Sequence, residues 1–412
     1  MTGRKIGTLQ SGRRKREKKI VLIEGVYDTI DLFSENVKQA LEELGYECLV
    51  LHAQDMEESL KEFAVFALTE ITAVITFNNL GYNLELTEGK NIWEQFDIPY
   101  VNILMDHPFH YKKPLKHMPK TARVYCTDRN HVAFMRRFFP EISRVGFLPH
   151  AGIELPQTKR PLKERRIEVL YAGALPFFTA GSLVPDLSAI TEFDALDMAK
   201  TVLEDLIKKP QETTETAIET YLKERKIQLS EDALFDAIVK MRFLDSYATS
   251  FFRENAVRLL VESGIDVTAY GTGWNQCEWS DNPHLHYGGK ILAPEVLPLM
   301  ADAKIVLNTM TWYKAGAHDR IFNGMLAGAC VVTDDSSYLR SLCSKDEALV
   351  RFQLEEIGAL PEKVYNLLEH PNQMQMVADC GYETAKREHT WKNRVLTVLK
   401  DLEDEKHADF DL

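Results

Sequence analysis

The stretch "AGAHDRIFNGMLAGACVVTDD", residues 315–335, sets a His-Asp-Arg triplet at the start of a short, small-residue helix that runs on into a strand. Polar residues in that place have a chemical use. The amino end of a helix presents unpaired N–H groups and about half a positive charge, and so favours phosphate. Arg320 adds a guanidinium that can hold two phosphate oxygens at once. His318 and Asp319 stand beside it, with Asp319 the expected N-cap and Gly328 the expected stop. Asn323, one turn on, could hydrogen-bond a sugar or ribose hydroxyl, while Ile321, Phe322, Met325 and Leu326 form the buried stripe. The competing reading is a capped surface helix with an incidental arginine.

Asp106-His107-Pro108 is a second constellation. Proline stiffens the turn, and a carboxylate beside an imidazole could deprotonate a hydroxyl nucleophile. A capping Asp with a solvated His is the alternative, and Asn78-Asn79 reads as turn chemistry. Gly173, Gly271 and Gly273 follow strand-like runs, where glycine lets backbone approach a ligand closely. Trp274 is then a candidate cleft wall, and Asn308 closes another strand. "GTGWNQ" lacks the third glycine of the dinucleotide fingerprint, and neither a phosphate-binding G-x-x-x-x-G-K-[ST] loop nor metal-ligand spacing occurs. No metal or resident cofactor is expected.

Two alternating series position these residues. From Lys19, strand-like runs such as "KIVLIE", "ECLVLH", "TAVITF", "NILM" and "ARVYCT" alternate with amphipathic helical ones up to residue 150. "PHAGIELPQTKRPLKERR" reads as a linker over 151–166. The second series, 167–402, starts at "IEVLYAG", is interrupted by a helical insertion at 176–246, and resumes through "DVTAYG", "KIVLNT" and "ACVVTD". Such alternation means parallel sheets covered on both faces, so the expected fold class is α/β, with two Rossmann-like domains facing a cleft at the carboxyl ends of their strands.

The 412 residues carry a net charge of −13, yet residues 1–19 alone hold eight Arg/Lys against Glu17. The acidic remainder argues against nucleic acid as the main partner, and the basic segment 1–18 and the end 403–412 read as disordered tails. Glu24 interrupts the apolar run behind the basic segment, and no stretch has the length of a membrane span. Six scattered cysteines without a C-x-x-C pair suit reduced thiols in the cytoplasm.

The blocks "YGTGW", "KIVLNT", "HDRIFNGMLAGACVVTDD" and "ADCGYETAKREHTWKNRV" resemble, in order and spacing, the C-terminal domain of group-1-like glycosyltransferases of the spore-maturation (CgeB-like) kind. "MDHP" and "LPHAGIE" carry a weaker likeness to their first domain. The resemblance implies a GT-B fold, a nucleotide-sugar donor such as a UDP-sugar in the second domain, an acceptor in the first, and no required metal. By that analogy Gly173, Gly271, Gly273, Trp274, Asn308, His318, Asp319, Arg320 and Asn323 line the donor side. Arg253 and Arg258 would help hold the leaving diphosphate, and Asp106 or His107 would serve as base. Many related transferases carry Glu-x7-Glu at the quoted helix, where this chain has Ala315 and Asn323, so the His-Asp-Arg triplet is the expected replacement. A nucleotide-sugar epimerase and an inactive binding subunit, with the insertion as a partner or oligomer surface, are the alternatives.

Overall fold

The computed structural model describes residues 18–408 apart from 27, 88, 157–158, 177–184, 189 and 343–346. The basic segment 1–17, Cys343 and the end 409–412 lie outside the described residues. Strand β1 (Lys19–Glu24), β2 (Glu47–His52) and β3 (Ala73–Phe77) begin the first series. A small antiparallel hairpin, β4 (Glu85–Thr87) with β5 (Lys90–Asn91), precedes β6 (Tyr100–Leu104), β7 (Ala122–Cys126) and β8 (Val145–Phe147). Apart from the hairpin, these strands form one parallel sheet in the order β2-β1-β3-β6-β7-β8. Runs such as Ala73–Phe77 and Tyr100–Leu104 are buried along their whole length, as strands covered on both faces must be.

The second sheet, also wholly parallel, runs β11-β10-β9-β12-β13-β14. Its strands are β9 (Ile167–Ala172), β10 (Val267–Tyr270), β11 (Leu285–Gly289), β12 (Ala303–Asn308), β13 (Cys330–Asp334) and β14 (Val350–Phe352). This is the doubly wound order 3-2-1-4-5-6, whose switch point falls between β9 and β12. The α/β architecture expected from the alternation is therefore present twice. Among the described residues, no helix is long and apolar enough to cross a membrane.

Two segments cross between the halves in ways the domain boundaries did not foresee. The insertion forms helices Ala195–Lys208, Thr214–Glu224 and Glu231–Met241. Its apolar stripes, with Met198, Val202, Ile218 and Ile238, pack against Phe109, Val124 and Met135 of the first half. In sequence it interrupts the second domain; in space it covers the first. The next helix begins at Phe243, inside the expected insertion 176–246, and runs unbroken to Glu262. The last helix, Trp391–Ala408, takes in residues 403–408 of the expected tail. It returns to the first half, where Trp391 packs on Phe33 and Phe77, and Lys392 pairs with Glu43 at 2.9 Å. One apolar cluster consequently runs through both halves, from Ile20 and Phe33 to Met300 and Phe322.

Candidate functional site

Helix Asp319–Leu326 starts just behind the carboxyl end of β12 and packs between the sheet and the linker. Its N-cap is His318, not Asp319. The His318 backbone is extended, and its Nδ1 accepts the Arg320 N–H at 3.2 Å. Only an unprotonated ring can do this. Burial, and then the adjacent Arg320 guanidinium, hold the His318 pKa well below the usual imidazole range. Gly328, at φ +67°, stops the helix as expected.

Arg320 is 9% exposed. One terminal N–H donates to Asn308 Oδ1 at 2.7 Å, the guanidinium lies 5.5 Å from the Tyr171 ring centre, and its far side faces Gly173. A Cβ at Gly173 would come within 3.2 Å of Arg320 Nη2, so glycine there keeps the guanidinium open to the gap. Among the described residues, no carboxylate is within 4.0 Å of it to form an ion pair. Asn308 is itself fixed by Thr333 (2.9 Å), so it aims Arg320 and does not line the opening.

Around this guanidinium a cavity of about 410 Å³ lies between the halves. Gly173, Gly271, His318, Asp319, Arg320 and Asn323 border it on the second domain. Asp28 and Thr29, from the start of helix Asp28–Glu43, border it on the first. The two sides touch where the Ala293 N–H donates to Asp28 Oδ2 at 3.0 Å. Gly271 has φ +120°, and a Cβ there would lie 2.5 Å from the Gly173 carbonyl carbon, so backbone at the strand ends packs too closely for any side chain. Lys290 also borders the cavity. It follows β11, a strand with too few aliphatic residues ("LHYGG") to stand out in the sequence.

The other expected residues divide. Arg253, on helix Phe243–Glu262, reaches the carbonyl of Ala174 and faces the Trp312 ring, and its charge depresses the His318 pKa, so it does join the group. Its Nε is buried without a partner among the described residues. Arg258 does not: it bonds Asn255 of its own helix at 2.7 Å and is not at the opening. Trp274 is fully buried, its indole N–H donating to the Gly173 carbonyl at 2.9 Å, and it supports the cleft floor from beneath instead of walling it. Gly273, at φ +102°, caps the short turn carrying Trp274. Asn323 is spent on structure. Its Oδ1 accepts the Ile153 N–H (2.9 Å) from the linker, and its Nδ2 donates to Asp319 (3.0 Å).

Asp106 and His107 are not brought together. Asp106 is exposed and accepts bonds from Tyr111 (2.7 Å) and Asn78 (3.1 Å). His107 turns inward, where its Nδ1 accepts the Phe109 N–H and its ring packs on His131 and Phe134. Burial drives its pKa well down. The chain bends at Asp106 and is extended at His107, so the two side chains leave in different directions, and the proline that follows does not bring them together.

Ala315, at the first position of the missing carboxylate pair, bonds through its backbone. Asp128, fully buried, caps helix Arg129–Phe138 with one carboxylate oxygen and accepts the Ala315 N–H with the other (2.7 Å each). Beside it, Tyr313 donates to the Met105 carbonyl (2.5 Å) and meets His150 Nε2 (2.8 Å). These interdomain bonds escaped sequence reasoning, since neither Asp128 nor Tyr313 sits in a recognisable motif. Among the described residues, no group of three or more His, Cys, Asp or Glu side chains is arranged to hold a metal ion.

Residues 250–400 match the model of a family described as glycosyl transferase-like. Two solved structures share the architecture. One is Anabaena Alr3699/HepE in complex with UDP and glucose, 10% identical, covering 94% of this chain and 100% of that one, with a TM-score of 0.51. The other is an alpha-glucosyltransferase in complex with UDP-glucose and DNA containing an abasic site, 10% identical, covering 94% and 99%, with a TM-score of 0.52. No protein with a curated description matches the sequence. The fold is thus the GT-B-like one of glycosyltransferases.

Proposed function

We propose that the protein is a metal-independent glycosyltransferase of the cytoplasm, related to the spore-maturation (CgeB-like) kind, that takes its sugar from a nucleotide-diphosphate donor such as a UDP-sugar. The observation that carries this reading is Arg320: a buried cation that, among the described residues, has one neutral hydrogen-bond partner and no carboxylate in ion-pair contact, aimed into an interdomain cavity. Leaving such a charge unpaired is costly, and a diphosphate is the partner whose geometry the guanidinium fork fits. Arg253 and Lys290 add positive charge at the rim. Gly173 keeps the guanidinium open to the cavity, and the close packing of Gly271 on it holds the two strand ends together there.

In the reaction the acceptor oxygen forms a bond to the anomeric carbon while the bond from that carbon to the phosphate oxygen breaks. The diphosphate leaves with the electron pair, and the cations neutralise it as its charge grows. For an inverting course Asp106 takes the acceptor proton; buried His107, with its low proton affinity, has no part. Free Cys126, Cys277 and Cys330, all buried, accord with a reducing compartment. The test is thermal melting of the full chain with UDP, GDP and ADP. At least one should raise the melting temperature, because binding stabilises only the folded state. No shift with any of them refutes the reading.

A further inference from the structure

His318 stands where the loop after β12 turns into helix Asp319–Leu326, and three rings hold its imidazole in place. The Trp312 ring centre is 5.4 Å away and nearly perpendicular, and those of Tyr313 and His150 are each 6.1 Å away. Nδ1 accepts the Arg320 N–H at 3.2 Å. Asp319 Oδ1 is as near, at 3.0 Å, but off the axis of that nitrogen, so no hydrogen bond forms.

A neutral imidazole carries one proton, and a nitrogen that accepts a hydrogen bond does not hold it. The proton is therefore on Nε2. This nitrogen is not sealed in the core. The rings of His107, His131, His150 and His389 each enclose a nitrogen that has no partner among the described residues. His318 encloses none, and its ring borders the same cavity as Arg320. Among the described residues nothing accepts from Nε2, so its N–H is offered to the cavity beside the guanidinium. Burial, and then the neighbouring Arg320, His150 and Arg253, oppose a second proton on the ring.

We infer that His318 is a catalytic residue of the transfer: its Nε2–H donates a hydrogen bond to a diphosphate oxygen of the donor and keeps its proton while that group leaves. The inference rests on the glycosyl-transfer reading and adds the part this ring plays in it. As the bond from the anomeric carbon to the phosphate oxygen breaks, the electron pair stays on that oxygen. The hydrogen bonds from Nε2 and Arg320 strengthen as the charge collects, and the diphosphate departs as an anion. The ring presents no lone pair to the cavity, so it does not take the acceptor proton either. Two guanidiniums already repel each other here, and a neutral donor adds a hydrogen bond without adding to that repulsion.

Nitrogen-15 labelling of the histidines in the full chain reads the ring directly, because bare and protonated ring nitrogens resonate far apart. His318→Asn identifies the signal by its loss and keeps the helix start, since asparagine is a strong N-cap type. His318→Gln serves for the assignment if that variant does not fold. The expected spectrum shows a bare Nδ1 and a protonated Nε2 at about pH 7 and still at about pH 5, with the Nε2 proton shifted by UDP. In His318→Asn the UDP dissociation constant, from calorimetric titration, should rise at least about tenfold. A proton on Nδ1, a second proton gained with a midpoint near the ordinary value of about 6.5, or a smaller loss of UDP affinity overturns the inference. The two readings fail separately. A bare Nε2 in a protein that UDP stabilises sinks the inference alone, whereas no rise in melting temperature with UDP, GDP or ADP sinks the transfer reading and this role with it.

Discussion

Replacing Arg320 by methionine separates its two roles, because binding and stability respond differently. In the folded protein the guanidinium spends one N–H on Asn308 and turns the others toward Gly173. Hydrogen bonds to charged groups contribute about 1.5–3 kcal/mol each. Two such bonds to a diphosphate are then worth about 3 kcal/mol at the low end, roughly 100-fold in affinity. On the stability side, methionine strands Asn308 Oδ1, which costs about 1–3 kcal/mol. It also removes a buried, unpaired charge whose desolvation is of the order of several kcal/mol. The variant without ligand should therefore melt no lower than the unaltered protein, while its UDP dissociation constant, from calorimetric titration, rises about 100-fold. A variant that melts many degrees lower yet binds UDP as before would show that Arg320 is a structural cation, and the reasoning about the cavity would be refuted.

Two further substitutions probe residues whose roles the structure changes. Asn323→Ala should cost about 1–3 kcal/mol of stability by leaving the Ile153 N–H without an acceptor, measured by urea unfolding, while UDP affinity changes by less than about threefold; a large affinity loss at unchanged stability would restore Asn323 to the sugar. His131, whose two ring nitrogens are buried and unpartnered among the described residues, has its pKa pushed down to about 3 by that burial. Below the ordinary imidazole value the unfolded chain takes up a proton that the folded one refuses, so this histidine destabilises increasingly as pH falls from about 6.5, by up to about 1.4 kcal/mol per pH unit. His131→Phe should remove that term, and its stability relative to the unaltered protein should improve from pH 7 to pH 5. An advantage equal at both pH values would contradict the assignment.

Much of the architecture is legible in the sequence, because strands buried on both faces must be dense in aliphatic residues, as "KIVLIE" and "AVITF" are. Edge strands escape for the converse reason. At the two borders of the second sheet, "LHYGG" buries little, and "VRF" is three residues long with Phe352 alone fully buried, so neither carries a pattern. The insertion's helices are readable as helices, yet periodicity says only that an apolar stripe needs a partner, not that Met198 and Val202 will find it in the other half of the molecule. In the site, Arg320 is legible because a helix start behind a strand end has one outlook. Trp274 and His107 are misread because neither glycines nor a proline nearby tells which way the neighbouring ring will turn. Asn323, of the right type in the right place, is claimed by the linker backbone, a long-range bond that no local pattern announces.

The way later segments cover the first sheet bears on how the chain is made. Residues 19–147 contain all six strands of that sheet, but Phe33 and Phe77 wait for Trp391, and Phe109 and Val124 wait for helices between 195 and 241. At roughly 5–20 residues per second, a ribosome needs of the order of tens of seconds to pass from the last of those strands to the closing helix. During that interval the nascent sheet carries bare aromatic faces, so its protection depends on chaperones or on slow, reversible collapse until translation delivers the carboxyl-terminal cover.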